Sequence, residues 1–90
     1  MLKYFQLILK IIGMSKVKIY STPTCHFCHA AKDFFTANEV EFEDIDVAAD
    51  EEQRNLMVEK TGQMGVPVIS IDDETIIGFD EAKIREILEI

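Results

Sequence analysis

The spacing of apolar residues alternates along this chain between strand-like and helix-like repeats, and this alternation constrains the fold more than any other feature. The β-rich runs are KVKIY (16–20), VEFEDIDV (40–47), VPVISI (66–71) and TIIGF (75–79). The alternation of the second run slips near Asp44. Helical signals separate the first three runs and follow the last, which predicts the order β-α-β-α-β-β-α.

Each predicted helix has its own signals. In the first helix, an apolar stripe predicts the face that turns toward the core, and its members are Phe27, Ala30, Ala31, Phe34 and Phe35. Asn38 can end this helix. In the second, Asp50 precedes Gln53 by three residues, as in a capping box, and Gly62 ends the helix. Asp80 caps the last helix, whose inward face is Ile84, Ile87 and Leu88.

These elements predict an α/β fold with a single four-stranded mixed sheet. A right-handed crossover through a helix makes the first two strands parallel. The turn at Asp72 and Asp73 makes the last two strands an antiparallel hairpin. Helices then cover both faces of the sheet. Ninety residues are enough for one such domain, which we place at residues 14–90.

The charge of the chain limits its partners. Seventeen acidic residues against nine basic ones give a net charge of −8, which argues against nucleic acid or an anionic membrane as the main partner. Two cysteines cannot form the disulfide framework of a small secreted domain.

Residues 1–13, MLKYFQLILKIIG, differ from the rest because they contain two lysines and no acid. The segment is too short to span a bilayer as a helix and makes a poor signal peptide, although its helical pattern would also suit an interfacial anchor. We expect an extension outside the fold and a cytoplasmic protein.

Of the only two cysteines, in CHFCH, Cys25 lies where the loop after the first strand meets the start of the first helix, and Cys28 lies on that helix. Unpaired N–H groups and the helix dipole at a helix start favour a thiolate at Cys25. Such sites lower the pKa of a cysteine from about 8.5 into the range ~3.5–7.5. Cys28, one turn later, can attack a mixed disulfide on Cys25. The spacing therefore fits a two-step exchange in which Cys25 attacks and Cys28 resolves.

Other chemistry also fits this pattern. CHFCH matches the C-x-x-C-H attachment site of c-type haem, for which Met57 or Met64 could supply an axial ligand. A structural zinc needs four ligands, so the two cysteines and a histidine leave one missing unless another chain supplies it. An iron-sulfur cluster shared between two chains is a further alternative. Of the two histidines, His26 in its charged form would lower the pKa of Cys25, whereas His29 has no evident chemical role.

YSTPTCHFCHAAKDFF followed by GVPVISIDDETIIGFD resembles the small glutaredoxin-like redoxins of the thioredoxin superfamily over about residues 16–90. This resemblance implies a thioredoxin fold, a Cys25 nucleophile and a resolving Cys28. We expect no metal and no cofactor. The resemblance also implies a cis Val66–Pro67 bond in a loop that faces the dithiol, where the backbone of Val66 pairs with the substrate. Substrate contacts are expected from Thr24, His26, Val66, Pro67, Gly78 and Asp80.

The chain departs from the glutathione-using members of that family at several positions. Thr22 stands where they usually have a lysine, and Gln63 and Met64 supply no positive charge. The Gly-Gly-x-Asp turn becomes Ile77-Gly78-Phe79-Asp80. The loss of cations weakens any binding of glutathione, a peptide with two carboxylates. The pattern is similar to glutaredoxin-like redoxins that are recharged by thioredoxin reductase instead of by glutathione. We therefore expect an oxidoreductase that passes electrons to protein disulfides, and we expect it to be a monomer.

Overall fold

The structure is a computed structural model that describes residues 15–90. It consists of β1 (Val17–Ser21), α1 (His26–Ala37), β2 (Glu43–Asp46), α2 (Glu51–Thr61), β3 (Val68–Ile71), β4 (Glu74–Ile77) and α3 (Glu81–Leu88). The predicted order of elements is confirmed. The proposed extension at residues 1–13, and Met14 as the start of the domain, lie outside the described residues.

The four strands form one mixed sheet in the order β2-β1-β3-β4. β1 pairs with β2 in parallel and with β3 antiparallel, and β3 and β4 form the predicted hairpin. β2 and β4 are therefore the two edges. β2 is short, with the sequence EDID, and three of its four residues are acidic.

Helices cover both faces of this sheet, as predicted. On one face, α1 and α3 pack over a core cluster: Val17, Ile19, Ala31, Phe35, Ile69, Ile71, Ile76, Ile84 and Leu88. On the other face, α2 packs over a smaller one: Tyr20, Ile45, Val47, Met57 and Val68. The alternation of β1 and β3 supplies both clusters because successive side chains of a strand point to opposite faces.

The segment around β2 contributes to both clusters, and this explains the slip in its alternation. Val40 and Phe42 pack against the α1–α3 cluster, whereas Ile45 and Val47 belong to the α2 cluster. After Asp44, the apolar side chains of this segment point to the opposite face of the sheet. The predicted strand at 40–47 is correspondingly too long, since only Glu43–Asp46 pair with β1.

The inward face of α1 differs from the predicted stripe. Its buried residues are Cys28, Ala31 and Phe35, whereas Phe27 is 62% exposed. The buried face is centred on Cys28, Ala31 and Phe35, whereas the predicted face was centred about one residue away around the helix. Phe27 therefore lies at the edge of the buried face. Cys28, which the stripe did not include, is thereby placed in the core.

The predicted helix ends are confirmed. Asp50 and Asp80 each accept a hydrogen bond at the start of their helices, from the backbone N–H groups of Gln53 (3.0 Å) and Lys83 (3.2 Å). Gly62 ends α2 in the left-handed conformation, at φ +71°. It directs the chain into the loop that leads to Pro67.

We expect Gly62→Ala to lower the free energy of unfolding by about 1 kcal/mol, because an L side chain is strained at this positive φ. An added Cβ would meet no atom within 4 Å, so the loss would be one of backbone conformation alone. Urea denaturation measures it. Gly62→Asn is the control, since Asn tolerates this region better and should lose less. An alanine variant as stable as the parent would contradict this explanation.

Candidate active site

The strand pairing brings all the predicted site residues to one end of the sheet. Tyr20 of β1 lies opposite Val68 of β3, which lies opposite Ile77 of β4. The loop after β1, the loop before β3 and the loop after β4 therefore emerge side by side. They carry, respectively, the dithiol with Thr24 and His26, then Val66 and Pro67, then Gly78 and Asp80.

Cys25 is the N-cap of α1. Its backbone is extended, with φ −85° and ψ 113°, and its sulfur accepts a hydrogen bond of 3.1 Å from the backbone N–H of Cys28. A thiolate at this position would accept the same N–H and would face the positive end of the helix dipole. The N-cap position of Cys25 agrees with the sequence, and the anionic form of this cysteine stays a prediction.

The two cysteines form a disulfide across the first turn of the helix, with their Cα atoms 5.2 Å apart. Their exposures differ. Cys28 is completely buried, whereas Cys25 is half-buried at the surface. This difference follows from the orientation of α1, which turns the 28-31-35 row into the core. A molecule in solution can therefore reach Cys25 but not Cys28.

The loop before β3 is joined to the loop after β4. The Val66–Pro67 bond is cis, as the resemblance implied, and Pro67 is buried while Val66 is half-buried. The carbonyl of Pro67 accepts a hydrogen bond of 2.8 Å from the backbone N–H of Gly78. Gly78 has φ +88°, a conformation that glycine adopts readily.

The side chains that flank the dithiol have different surroundings. Thr24 is exposed. His26 is exposed at the start of α1, where its ring packs edge-on against Phe27. Asp80 caps α3 through the bond with Lys83. Their substrate contacts stay predictions.

Sequence reasoning gave no role to His29, but the structure does. Its Nε2 lies 2.9 Å from the backbone carbonyl oxygen of Pro23, to which it can donate. This contact ties α1 to the loop two residues before Cys25. A local signal was present in the sequence, because a side chain near a helix start can reach the backbone of the preceding loop.

A second group missed by sequence reasoning joins β1, β2 and α1. Asp44 forms an ion pair of 2.7 Å with Lys32 and accepts a hydrogen bond of 2.7 Å from the hydroxyl of Ser21. We call these three residues the Asp44 bridge. Partial burial raises the pKa of Asp44, but the bonds from Lys32 and Ser21 and the charges of Lys32 and His29 outweigh it, and the pKa is lowered. The only sequence signal was the slip in alternation at Asp44.

Among residues 15–90, no group of three or more His, Cys, Asp and Glu side chains is arranged to hold a metal ion. In the same part of the chain, no helix is long and apolar enough to cross a membrane.

A four-stranded mixed sheet between helices, with a Cys-x-x-Cys pair at the start of the first helix, defines a redox protein of the thioredoxin fold. A sequence profile of the glutaredoxin family matches residues 17–76. The chain therefore belongs to the glutaredoxin family.

Individual relatives agree with this assignment. The chain is 42% identical over 73 residues to a glutaredoxin-like 8.6 kDa protein in the rubredoxin operon of Clostridium pasteurianum, with 81% of this chain and 97% of that protein covered. The glutaredoxin of Archaeoglobus fulgidus superimposes with a TM-score of 0.70 at 30% identity, covering 91% of this chain and 95% of the other. The glutaredoxin-like NrdH-redoxin of Escherichia coli has a TM-score of 0.70 at 27% identity, covering 79% and 92%.

The lowered pKa of Asp44 predicts a contribution to stability that depends on pH. A carboxylate whose pKa is lower in the folded than in the unfolded state stabilises the fold above its unfolded pKa of about 3.9, and the contribution is lost as pH falls through the folded value. We expect Asp44→Asn to lower the melting temperature at pH 7 and to have a progressively smaller effect toward pH 2. Melting curves of both proteins across this range would test it, and a difference that is constant with pH would contradict it.

Proposed function

We propose that this protein is a cytoplasmic thiol–disulfide oxidoreductase that carries electrons to protein disulfides through Cys25 and Cys28 and is recharged by thioredoxin reductase rather than by glutathione. The observation that carries this proposal is the unequal exposure of the two cysteines, with Cys25 at the surface and Cys28 in the core. The cytoplasm is a compartment where reductases keep thiols reduced.

In the proposed reaction, the Cys25 thiolate attacks one sulfur of a substrate disulfide. A bond forms between Cys25 and that sulfur, and the other substrate sulfur leaves as a thiolate that takes up a proton. Cys28 then loses its proton and attacks the sulfur of Cys25, which releases the second substrate thiol and forms the Cys25–Cys28 disulfide. Two electrons pass to the substrate, and a reductase dithiol returns two electrons to this protein.

The surface around the dithiol supports a protein as the substrate. Three large apolar side chains are exposed on the segments at this end of the sheet: Phe27 (62%), Met64 (66%) and Ile77 (57%). Aromatic residues and methionine are enriched where proteins bind one another. The backbone next to the cis Val66–Pro67 bond would pair with an extended substrate segment, as a short form of strand addition.

The same surface is poorly suited to glutathione, a tripeptide with two carboxylates. Thr22, Gln63 and Met64 provide no cation at the positions where glutathione-using relatives are often basic. The side-chain amide of Gln63 is engaged within its own loop, since it accepts from the Gly65 N–H at 2.6 Å and donates to the Gly65 carbonyl at 3.1 Å. One carboxylate oxygen of Asp80 is engaged as the cap of α3.

The comparison with NrdH-redoxin gives further support. The structure of that protein is described as the basis for the thioredoxin-like activity profile of a glutaredoxin-like protein. A glutaredoxin fold can therefore be combined with thioredoxin-like behaviour, and this is the combination that we propose here.

The roles of the two cysteines can be separated by substitution. We expect Cys25→Ser to reduce the rate of disulfide reduction roughly a thousandfold or to background, because the attacking thiolate is removed. Cys28→Ser should still attack but should accumulate as a mixed disulfide with the substrate, which mass spectrometry detects. In the reduced parent protein, iodoacetamide at pH 6 should label Cys25 before Cys28. Faster labelling of Cys28 would show that the roles are assigned wrongly.

The electron donor is tested by changing the reductant at a fixed model disulfide. We expect efficient turnover with NADPH and thioredoxin reductase and slow turnover with glutathione and glutathione reductase. Thr22→Lys should improve the use of glutathione about two- to fivefold, as one added surface charge pair of ~0.5–1 kcal/mol would.

The control is Thr36→Lys, which adds the same charge at an exposed position near the other end of α1 and should leave glutathione turnover unchanged. Efficient turnover of the parent protein with glutathione and none with thioredoxin reductase would reject the proposed donor. It would leave the dithiol chemistry intact.

A further inference from the structure

The Asp44 bridge joins the three elements that surround the redox loop. Ser21 is the last residue of β1, is 2% exposed and immediately precedes that loop. Lys32 lies on α1 after the loop, with 19% of its side chain exposed, and Asp44 on β2 with 46%. One carboxylate thus binds the chain on both sides of Thr22–Cys28 by contacts that do not involve the disulfide.

The bridge also lies close to the dithiol along α1. Lys32 follows Cys28 by four residues, which places the two on the same side of the helix one turn apart. Cα–Cβ bonds in a helix tilt toward its N-terminus, which for Lys32 is the direction of Cys28. His29, which directly follows Cys28, also acts electrostatically on Asp44.

The charges in this region oppose one another. The charged groups that act on the Asp44 carboxylate, Lys32 and His29, both come from α1, while β1 contributes the uncharged hydroxyl of Ser21. A thiolate formed at the dithiol would be stabilised by a nearby cation. Because the Lys32 ammonium is 2.7 Å from the Asp44 carboxylate, the negative charge of that carboxylate opposes the field of Lys32 at the dithiol.

We infer, on the basis of the redox function proposed above, that Asp44 is a positioning residue that holds Lys32 in an ion pair, withholds its charge from the Cys25–Cys28 pair and thereby sets the redox potential. The reaction affected is the exchange already described. The disulfide gains two electrons and two protons to become a dithiol, or two electrons and one proton where Cys25 stays a thiolate. A cation released toward the dithiol stabilises the reduced, thiolate-bearing form.

Removing one partner of the ion pair should change the thiol pKa of Cys25 and the redox equilibrium in one direction, and removing the other partner should change both in the opposite direction. Asp44→Asn leaves Lys32 unpaired, so we expect the thiol pKa of Cys25 to fall by about half a unit and the reduced form to be favoured about threefold, or ~15 mV. Lys32→Gln leaves Asp44 unpaired, so the thiol pKa should rise and the oxidised form should be favoured by a similar factor. The double variant carries neither charge and should return close to the parent values.

Two measurements on the full chain test this: thiolate absorbance at 240 nm against pH, and the dithiol–disulfide ratio at equilibrium with dithiothreitol. Glu43→Gln is the matched control, since it removes the same charge from an exposed neighbouring position on β2 whose side chain points to the opposite face. We expect this control to move neither quantity measurably.

Opposite shifts in the two single variants would support the inference, because a merely structural bridge would give shifts of the same sign or none. Shifts of one sign, or shifts no larger than that of Glu43→Gln, would overturn it. If Asp44→Asn does not fold, Lys32→Gln decides alone, and a thiol pKa that does not rise rejects the inference. Neither measurement uses a substrate protein or a reductase, so a failure of the proposed function, which would appear as absent turnover, is a separate result.

Discussion

The orientation of α1 against the sheet determines what the dithiol can do. Burial of Ala31 and Phe35 fixes the rotation of the helix about its axis, and Cys28 belongs to the same row. One cysteine is consequently in the core while the other caps the helix at the surface, where unpaired N–H groups favour an anion. The two cysteines thus differ in their surroundings without any further group, and the proposed order of the exchange steps depends on this difference.

The central strands bring together the three loops of the site, which come from distant parts of the sequence. β1 and β3 are antiparallel and occupy the middle of the sheet, so the end of one lies beside the start of the other. The bond between Gly78 and Pro67 then links the loops on either side of the β3–β4 hairpin. The pairing of the hairpin and this bond together hold the two loops in place.

Much of this architecture could be predicted from the sequence, because its signals are local. Strand alternation, the caps at Asp50 and Asp80 and the stop at Gly62 each depend on a few neighbouring residues, and all were predicted correctly. The predicted inward face of α1 was wrong by about one residue, because it included Phe27 where the structure buries Cys28. Both side chains are apolar enough for a core, and only packing against the sheet distinguishes them. The length of β2 was overestimated for a related reason, as pairing with β1 decides where the strand begins and ends.

The candidate site shows the same division. The cysteines and the cis-proline loop are marked by short motifs, and the resemblance that they carry implied the cis bond, which sequence alone would not predict. The Asp44 bridge joins Ser21, Lys32 and Asp44 on three different elements. These residues are separated by 11, 12 and 23 positions in the sequence, and no local pattern links them. Its only signal in the sequence is Asp44 itself, an acid at a position where the alternation predicts an apolar side chain.

The short acidic edge strand β2 has a consequence for how the molecule behaves at high concentration. An open edge presents unpaired backbone groups that can recruit the edge of another molecule and start aggregation. Two copies that joined through EDID would place rows of carboxylates against each other, and like charges directly opposite are destabilising. The protein therefore has a built-in repulsion at one border of its sheet, supplied by a strand that also contributes Asp44 to the bridge beside the redox loop.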